Sequence, residues 1–388
     1  MRNASRRRKA ILAVALASCA ILNTGCWNRV EINDIGISIA AALDTAPNHR
    51  VRFSEQIALP GRMSGGRGAS AENKPYFTFS GVGLDLGDAM QNIQQHMSRE
   101  LFLAHRRIFL ISEDIARENL KKYLDEVSRN PQSRLRTSIA ITRGKAYPYL
   151  RTQFPFETIP AEGLRKVLFG VSSNYRMDLK QLMIMLASPT GDAYVPMIKM
   201  ETPSPHDKPN FTANGIVVFH QGRMVGELND ELANGVLWLR KQLKTDTLTT
   251  TIPKHPGKIS CEMMRSQTKY KVTMKNGHPA IDVNITPEGT VWENNTDLNL
   301  DDPNAIDLVE EMFSRQTKTV LEEALHKLQH DYDADIVDFG ERVHHAFPKQ
   351  WPALVKHWDQ EFANMPVTVQ VDWKIRRVGM TGSSTVER

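Results

Sequence analysis

His326 and His330 stand one helical turn apart, the spacing at which two imidazoles can share a metal ion, with Glu322 before them and His344-His345 after. Zinc hydrolases of this pattern place a Glu directly after the first His; here Lys327 fills that position, and the pair is read as a solvated helix face. Asp331, Asp333 and Asp335 imitate the opening of a calcium loop, but Ile336 stands where Gly is required and Arg342 where Glu is required, which excludes an EF-hand. Gly81-Val82-Gly83-Leu84-Asp85-Leu86-Gly87 sits between a predicted strand and a predicted helix, yet its third glycine comes one residue late for a pyrophosphate cradle. It is read as a plain connector. No Walker A sequence and no Gly-x-Ser-x-Gly elbow occurs, and the carboxylates form no pair with assignable acid and base roles. The expectation is a chain without catalytic residues, metal ligands or cofactor, and not an enzyme.

Cysteine carries a different chemistry. Arg2, Arg6, Arg7, Arg8 and Lys9 precede a 13-residue run, 10–22, interrupted only by Ser18 and Cys19. As a helix at ~1.5 Å per residue the run covers about 20 Å, short of a ~30 Å hydrocarbon core, so it reads as an export signal rather than a transmembrane span. It ends at Asn23-Thr24-Gly25-Cys26, a small residue before Cys that resembles the bacterial lipobox, where cleavage leaves a diacylglyceryl cysteine first. Leu16-Ala17-Ser18-Cys19 is the alternative and fits the usual consensus better at the third position before Cys. It leaves only nine residues after Lys9 and would strand Ile21 and Leu22 beyond the cut, so Cys26 is the preferred lipidation site. Cys261 alternates with Ile259 and Met263, which predicts a small core residue on the inner face of a strand.

The charge balance points the same way. The chain has 388 residues with a formal net charge of +5, but without the five basic residues of the leader 44 basic side chains face 44 acidic ones. A neutral body lacks the cationic surplus that phosphate recognition needs, so no nucleic-acid partner is expected. Apolar residues at 41% and charged residues at 24% are ordinary globular values and exclude a largely disordered chain or a multi-span membrane protein.

The predicted elements form a mixed α/β first half and an α+β second half. Strands are expected at 35–43, 51–59, 76–80, 107–111, 137–142 and 193–200, a long loop at 61–74, and helices at 86–101, 112–128, 159–169 and 179–186. Pro203, Pro205 and Pro209 place the main boundary at about 202–210, giving a signal peptide at 1–25, an N-terminal region at 26–205 and a C-terminal domain at 210–388. Beyond it, a hairpin turns at His220-Gln221-Gly222, and strands at 245–252, 258–264 and 270–274 lead through Asn276-Gly277 into 280–285. Asp302-Pro303 starts a long helix, two further helices carry Phe339 and Trp351 to Phe362, and an alternating strand covers 367–376. Gly340 inside a helical pattern predicts that another element approaches its backbone closely.

Gly25-Cys26-Trp27-Asn28 followed by Glu31-Ile32-Asn33-Asp34 resembles the mature start of the Ger(x)C spore germination lipoproteins, the C subunits of nutrient germinant receptors. Three later stretches match in order: 101–111 with His105; Gly215-Ile216-Val217-Val218-Phe219 through Gly226-Glu227-Leu228; and 335–340 with Pro348, Trp351, Trp358 and Ile375-Arg376-Arg377-Val378-Gly379. The resemblance implies a non-enzymatic, multi-domain mixed α/β protein, held by its lipid on the outer face of the spore inner membrane. It also implies two integral-membrane partner subunits. Cys26 alone carries over as a functional residue, as the attachment point. The alternative function is a lipid-anchored extracytoplasmic solute-binding protein, which would show a closed cleft between its domains lined by convergent polar groups.

Overall fold

The computed structural model describes residues 31–60, 74–154, 156–170, 174–202 and 209–379, with isolated positions 11 and 13. The leader, Cys19, Cys26, the expected loop over 61–73 and the proline-rich stretch 203–208 lie outside the described residues. Within them the protein is a mixed α/β structure of two mixed sheets flanked by helices.

The first half contributes β1 (Ile35–Ala46), β2 (Arg50–Ala58), β3 (Tyr76–Gly83), α1 (Leu86–Gln95), β4 (Glu100–Phe102), β5 (Ile108–Ser112), α2 (Glu113–Ala116), α3 (Leu120–Arg129), β6 (Ser138–Thr142), α4 (Tyr147–Arg151), α5 (Pro160–Phe169), α6 (Leu179–Leu186) and β7 (Ala193–Glu201). There follow β8 (Asn210–His220), β9 (Arg223–Asn229), α7 (Asp230–Leu239), β10 (Asp246–Ile252), β11 (His255–Lys275), β12 (His278–Asn294), α8 (Pro303–His326), α9 (Phe339–Ala346), α10 (Trp351–Leu354), α11 (Trp358–Asn364), β13 (Val367–Val371) and β14 (Lys374–Arg377).

The first sheet runs β3-β2-β1-β5-β6-β7-β8-β9, with β4 beside the start of β1. Its central strands are apolar without alternation because both faces are covered. Ala41, Leu43, Phe109, Ile111, Ile139 and Ile141 face a core shared with α1, α3, α6 and α7, while Ala40, Ala42, Ile108, Leu110 and Ala140 face α4 and α5. The expected boundary at 202–210 falls between β7 and β8, which pair as antiparallel neighbours from Ala193↔Phe219 to Glu201↔Asn210, so the first sheet continues to Asn229.

The second sheet runs β10-β11-β12-β13, with β14 also on β12. The two strands expected at 258–264 and 270–274 are one, β11, and the Asn276-Gly277 turn joins it to a 17-residue β12. The closing strand is two pieces. Trp373, fully buried between them, gives its backbone N–H to Ser314 Oγ and its indole N–H to Thr317 Oγ1, and so leaves the ladder for α8. β13 and β14 both lie parallel to β12, so only the β10-β11-β12 part of this sheet is an antiparallel meander. The apolar core is continuous from Phe53 in the first sheet to Trp373 in the second.

Candidate functional site

Two places bring chemistry-bearing or unusual residues together: the end of the first sheet where the chain enters it, and the joint between that sheet and the C-terminal helices.

At the entrance, a single 3₁₀ turn, Ile32–Asp34, leads into β1, whose first residues pair in parallel with β4 through Ile35↔Glu100, Gly36↔Leu101 and Ile37↔Phe102. A Cβ on Gly36 would lie 2.6 Å from Met97 Cε, so the thioether rests directly on the backbone of β1. Cys26, the expected attachment point, precedes Glu31 by five positions and lies outside the described residues. Further in, Glu55 is wholly buried between Ser38, which donates to its Oε2, and Arg106, which pairs with its Oε1. Burial pushes the Glu55 carboxyl upward, and the Arg106 charge and the two hydrogen bonds pull it back. The guanidinium also lies over the rings of Phe53 and Phe109 at 5.4 and 5.7 Å.

The joint is built around Asp335. It follows a π-helical turn, Lys327–Asp331, that closes α8, and its carboxylate caps α9 by accepting from the backbone N–H groups of Phe339 at 2.9 Å and Gly340 at 2.6 Å. The indole N–H of Trp358 completes the set at 3.1 Å. Its own backbone N–H donates to Asp192 Oδ2 at 2.7 Å, and the other oxygen of Asp192 meets His220 Nδ1 at 2.9 Å. Burial raises the Asp335 carboxyl to about 6 against the pull of the two N–H groups, and raises Asp192 as well. His220 moves up because Asp192 binds its ring, aided by Asp359 and Asp333. Arg240 on the end of α7 binds the Ile336 carbonyl and pairs with Asp338 at 2.8 Å, and Tyr332 donates to the Glu227 carbonyl at 2.9 Å. The segment 332–338 is thus tied to Asp192 just before β7, to β9 and to the end of α7. The contacts named all lie within the chain, and the Asp335 and Asp192 carboxylates at their centre are buried.

The remaining sequence candidates fall apart in space. The rings of His326 and His330 lie 4.7 Å apart on an exposed face, and among the described residues no group of three or more His, Cys, Asp or Glu side chains could hold a metal ion. Cys261 is buried with Ile259 and Met263 as its spacing predicted, and burial pushes its thiol up to about 12. Gly81 and Gly83 serve close packing: a Cβ on Gly83 would lie 2.2 Å from the Ala89 backbone nitrogen in α1. A Cβ on Gly340 would lie 3.0 and 3.1 Å from the indoles of Trp358 and Trp351, the close approach expected from its place in a helix. Open clefts of about 450 and 520 Å³ lie between α1 and α3, and beside Asp44, Arg52 and Lys145. Both belong to the first half; neither is an interdomain cleft.

Two family models match the chain almost end to end: the spore germination protein N-terminal domain over residues 28–200, and the spore germination B3/GerAC-like C-terminal domain over 214–379. The chain belongs to the Ger(x)C family of spore germination proteins. Among Bacillus subtilis relatives of this Ger(x)C chain, putative spore germination protein YfkR is 28% identical over 354 residues, covering 90% of this chain and 91% of YfkR. Spore germination protein KC is 24% identical over 394 residues, covering 96% and 97%. The crystal structure of the GerBC protein, 18% identical, superposes with a TM-score of 0.58 over 87% of this chain and 98% of that one, which shows a common fold. In this Ger(x)C chain, the C-terminal stretch that carried the sequence resemblance, Asp335 to Gly340 with Trp351 and Trp358, is the joint described above.

Proposed function

We propose that this protein acts in spore germination as the lipid-anchored C subunit of a nutrient germinant receptor. Its body is held by a diacylglyceryl Cys26 on the outer face of the spore inner membrane and contributes assembly and signalling contacts to two integral-membrane subunits, without catalysis of its own. The observation that carries this reading is the pair of family matches, which begin two positions after Cys26 and run through Gly379. Two further facts support it. Among the described residues no helix is long and apolar enough to cross a membrane, and a lipid on Cys26 would by itself supply an attachment. The buried polar groups at the joint are spent on holding the body together.

The test is genetic. In a spore former without a redundant receptor, deleting the coding sequence should abolish germination with one nutrient and leave germination by non-nutrient routes intact. Cys26→Ala should reproduce the defect and Cys19→Ala should not. Normal nutrient germination in the deletion strain would reject the function, and a defect confined to Cys19→Ala would move the anchor.

A further inference from the structure

The end of the first sheet from which β1 and β3 start carries exposed apolar side chains among the described residues. Phe77, the second residue of β3, is 54% exposed, and its ring lies 4.7 Å from that of the half-buried Phe79, two residues on and on the same face. Phe77 faces Ile57 across the ladder, and Ile57 in turn faces Ser38 of β1. Phe79, Met90 and Met97 pack on the small cluster of Ile57, Leu101 and Leu103. Met97 extends this surface onto Gly36, and Ile32, three positions before β1, is 71% exposed.

Tether length says what covers it. Only five residue steps separate Cys26 from Glu31, about 18 Å when fully extended at ~3.5 Å per step. A lipid on Cys26 therefore keeps the start of β1 within a few headgroup thicknesses of the hydrocarbon, and β3 lies only two strand spacings, about 10 Å, to the side. The geometry points to a bilayer contact: the β1–β3 end of the first sheet sits on the membrane surface, with the Phe77 ring entering the headgroup region. Aromatic side chains favour that region because an apolar ring gains there without leaving polar neighbours dry. This inference rests on the Cys26 anchor reading.

Leu84 supplies an internal control: it is 67% exposed, but it follows the opposite end of β3. Phe77→Cys and Leu84→Cys variants can each be labelled with an environment-sensitive NBD dye, since Cys261 is buried. They would be placed on vesicles of phosphatidylethanolamine and phosphatidylglycerol in two forms. One is the native lipoprotein. The other is a Cys26→Ser chain in which hexahistidine replaces residues 1–25 and binds a nickel-chelating lipid. The dye at position 77 should shift to the blue and lose emission to nitroxide-labelled lipids in both forms, and the dye at 84 should do neither. Failure of the native form alone to bind vesicles would count against the Cys26 anchor and leave position 77 to be read from the second form. Equal response at both positions, response at 84 only, or a blue shift at 77 without lipid quenching, as when the chain covers its own patch, would overturn the bilayer contact.

Discussion

The backbone N–H of Asp335 reaches Asp192 Oδ2 at 2.7 Å across 143 residues of sequence, which draws two carboxylates into one buried joint. The arrangement holds because the polar atoms are divided: Asp335 Oδ1 and Oδ2 serve Phe339, Gly340 and Trp358, while Asp192 serves Asp335 and His220. C-terminal helices and first sheet therefore share one set of hydrogen bonds.

Removing the Asp335 carboxylate leaves three buried donors without an acceptor. Asp335→Ala should cost on the order of 3–5 kcal/mol, and Asp335→Asn, which keeps one acceptor oxygen, clearly less. Urea unfolding at pH 7 measures both. The same group sets a pH dependence. Its carboxyl is raised to about 6 in the folded chain, so its contribution is fully present below the unfolded value near 4 and is lost as pH rises through 6. The loss should be on the order of 3 kcal/mol and absent from Asp335→Asn.

His220 acts in the next window up. Asp192 raises the imidazole above its ordinary value, so the pair stabilises the fold at pH below about 6.5 and that contribution fades as pH climbs through the folded value. His220→Gln should therefore lose about 1 kcal/mol relative to the native protein at pH 5.5 and little at pH 8.5. Equal losses at both pH values would show that the imidazole charge is not involved.

The glycines make a graded prediction. Gly83→Ala drives a methyl group to 2.2 Å from the Ala89 backbone and must displace α1, at about 3 kcal/mol or more. Gly340→Ala meets indole rings at 3.0 to 3.1 Å, and the overpacking is partly offset by the ~1 kcal/mol that Ala gains in a helix, for a net loss of about 1 kcal/mol. Gly87, whose Cβ would meet nothing nearer than 3.5 Å, should accept Ala within about 0.5 kcal/mol. Thermal unfolding of the three variants would show this order; a phosphate-binding role for the glycines predicts no such dependence on packing distance.

Glu55 and Arg106 test the buried pair in the first sheet. Either Glu55→Leu or Arg106→Leu alone leaves an uncompensated buried charge and should cost about 3–5 kcal/mol, whereas the double variant should cost far less than their sum. A double-mutant cycle by urea unfolding measures the difference.

Sequence patterns exposed the elements better than the contacts between them. Asp302-Pro303 and Asn276-Gly277 mark their helix start and turn because capping and left-handed backbone are local requirements; Asn276 and Gly277 do adopt positive φ. The helix expected at 112–128 breaks at Asn119, which caps a second helix while Leu120 binds the Gly222 carbonyl, a tertiary contact no local pattern contains. β11 reads as two strands because its pairing shifts between Met263 and Arg265, which moves the inward-facing positions from 259, 261 and 263 to the buried 268 and the half-buried 270. α7 lacks a polar face, being buried along its C-terminal half, and its Asn234-Gly235 carries a turn signal. At the joint, Asp335 was disguised by its neighbours Asp331 and Asp333, and Asp192 and His220 carry no mark of pairing with a residue more than 100 positions away.

The anchor on which the functional account depends is read most directly by intact-mass and N-terminal peptide analysis of the protein extracted from spore membranes. The account predicts a chain beginning at Cys26 and carrying the mass of a diacylglyceryl group. A chain that begins elsewhere, or a Cys26 terminus without fatty acid, would contradict it.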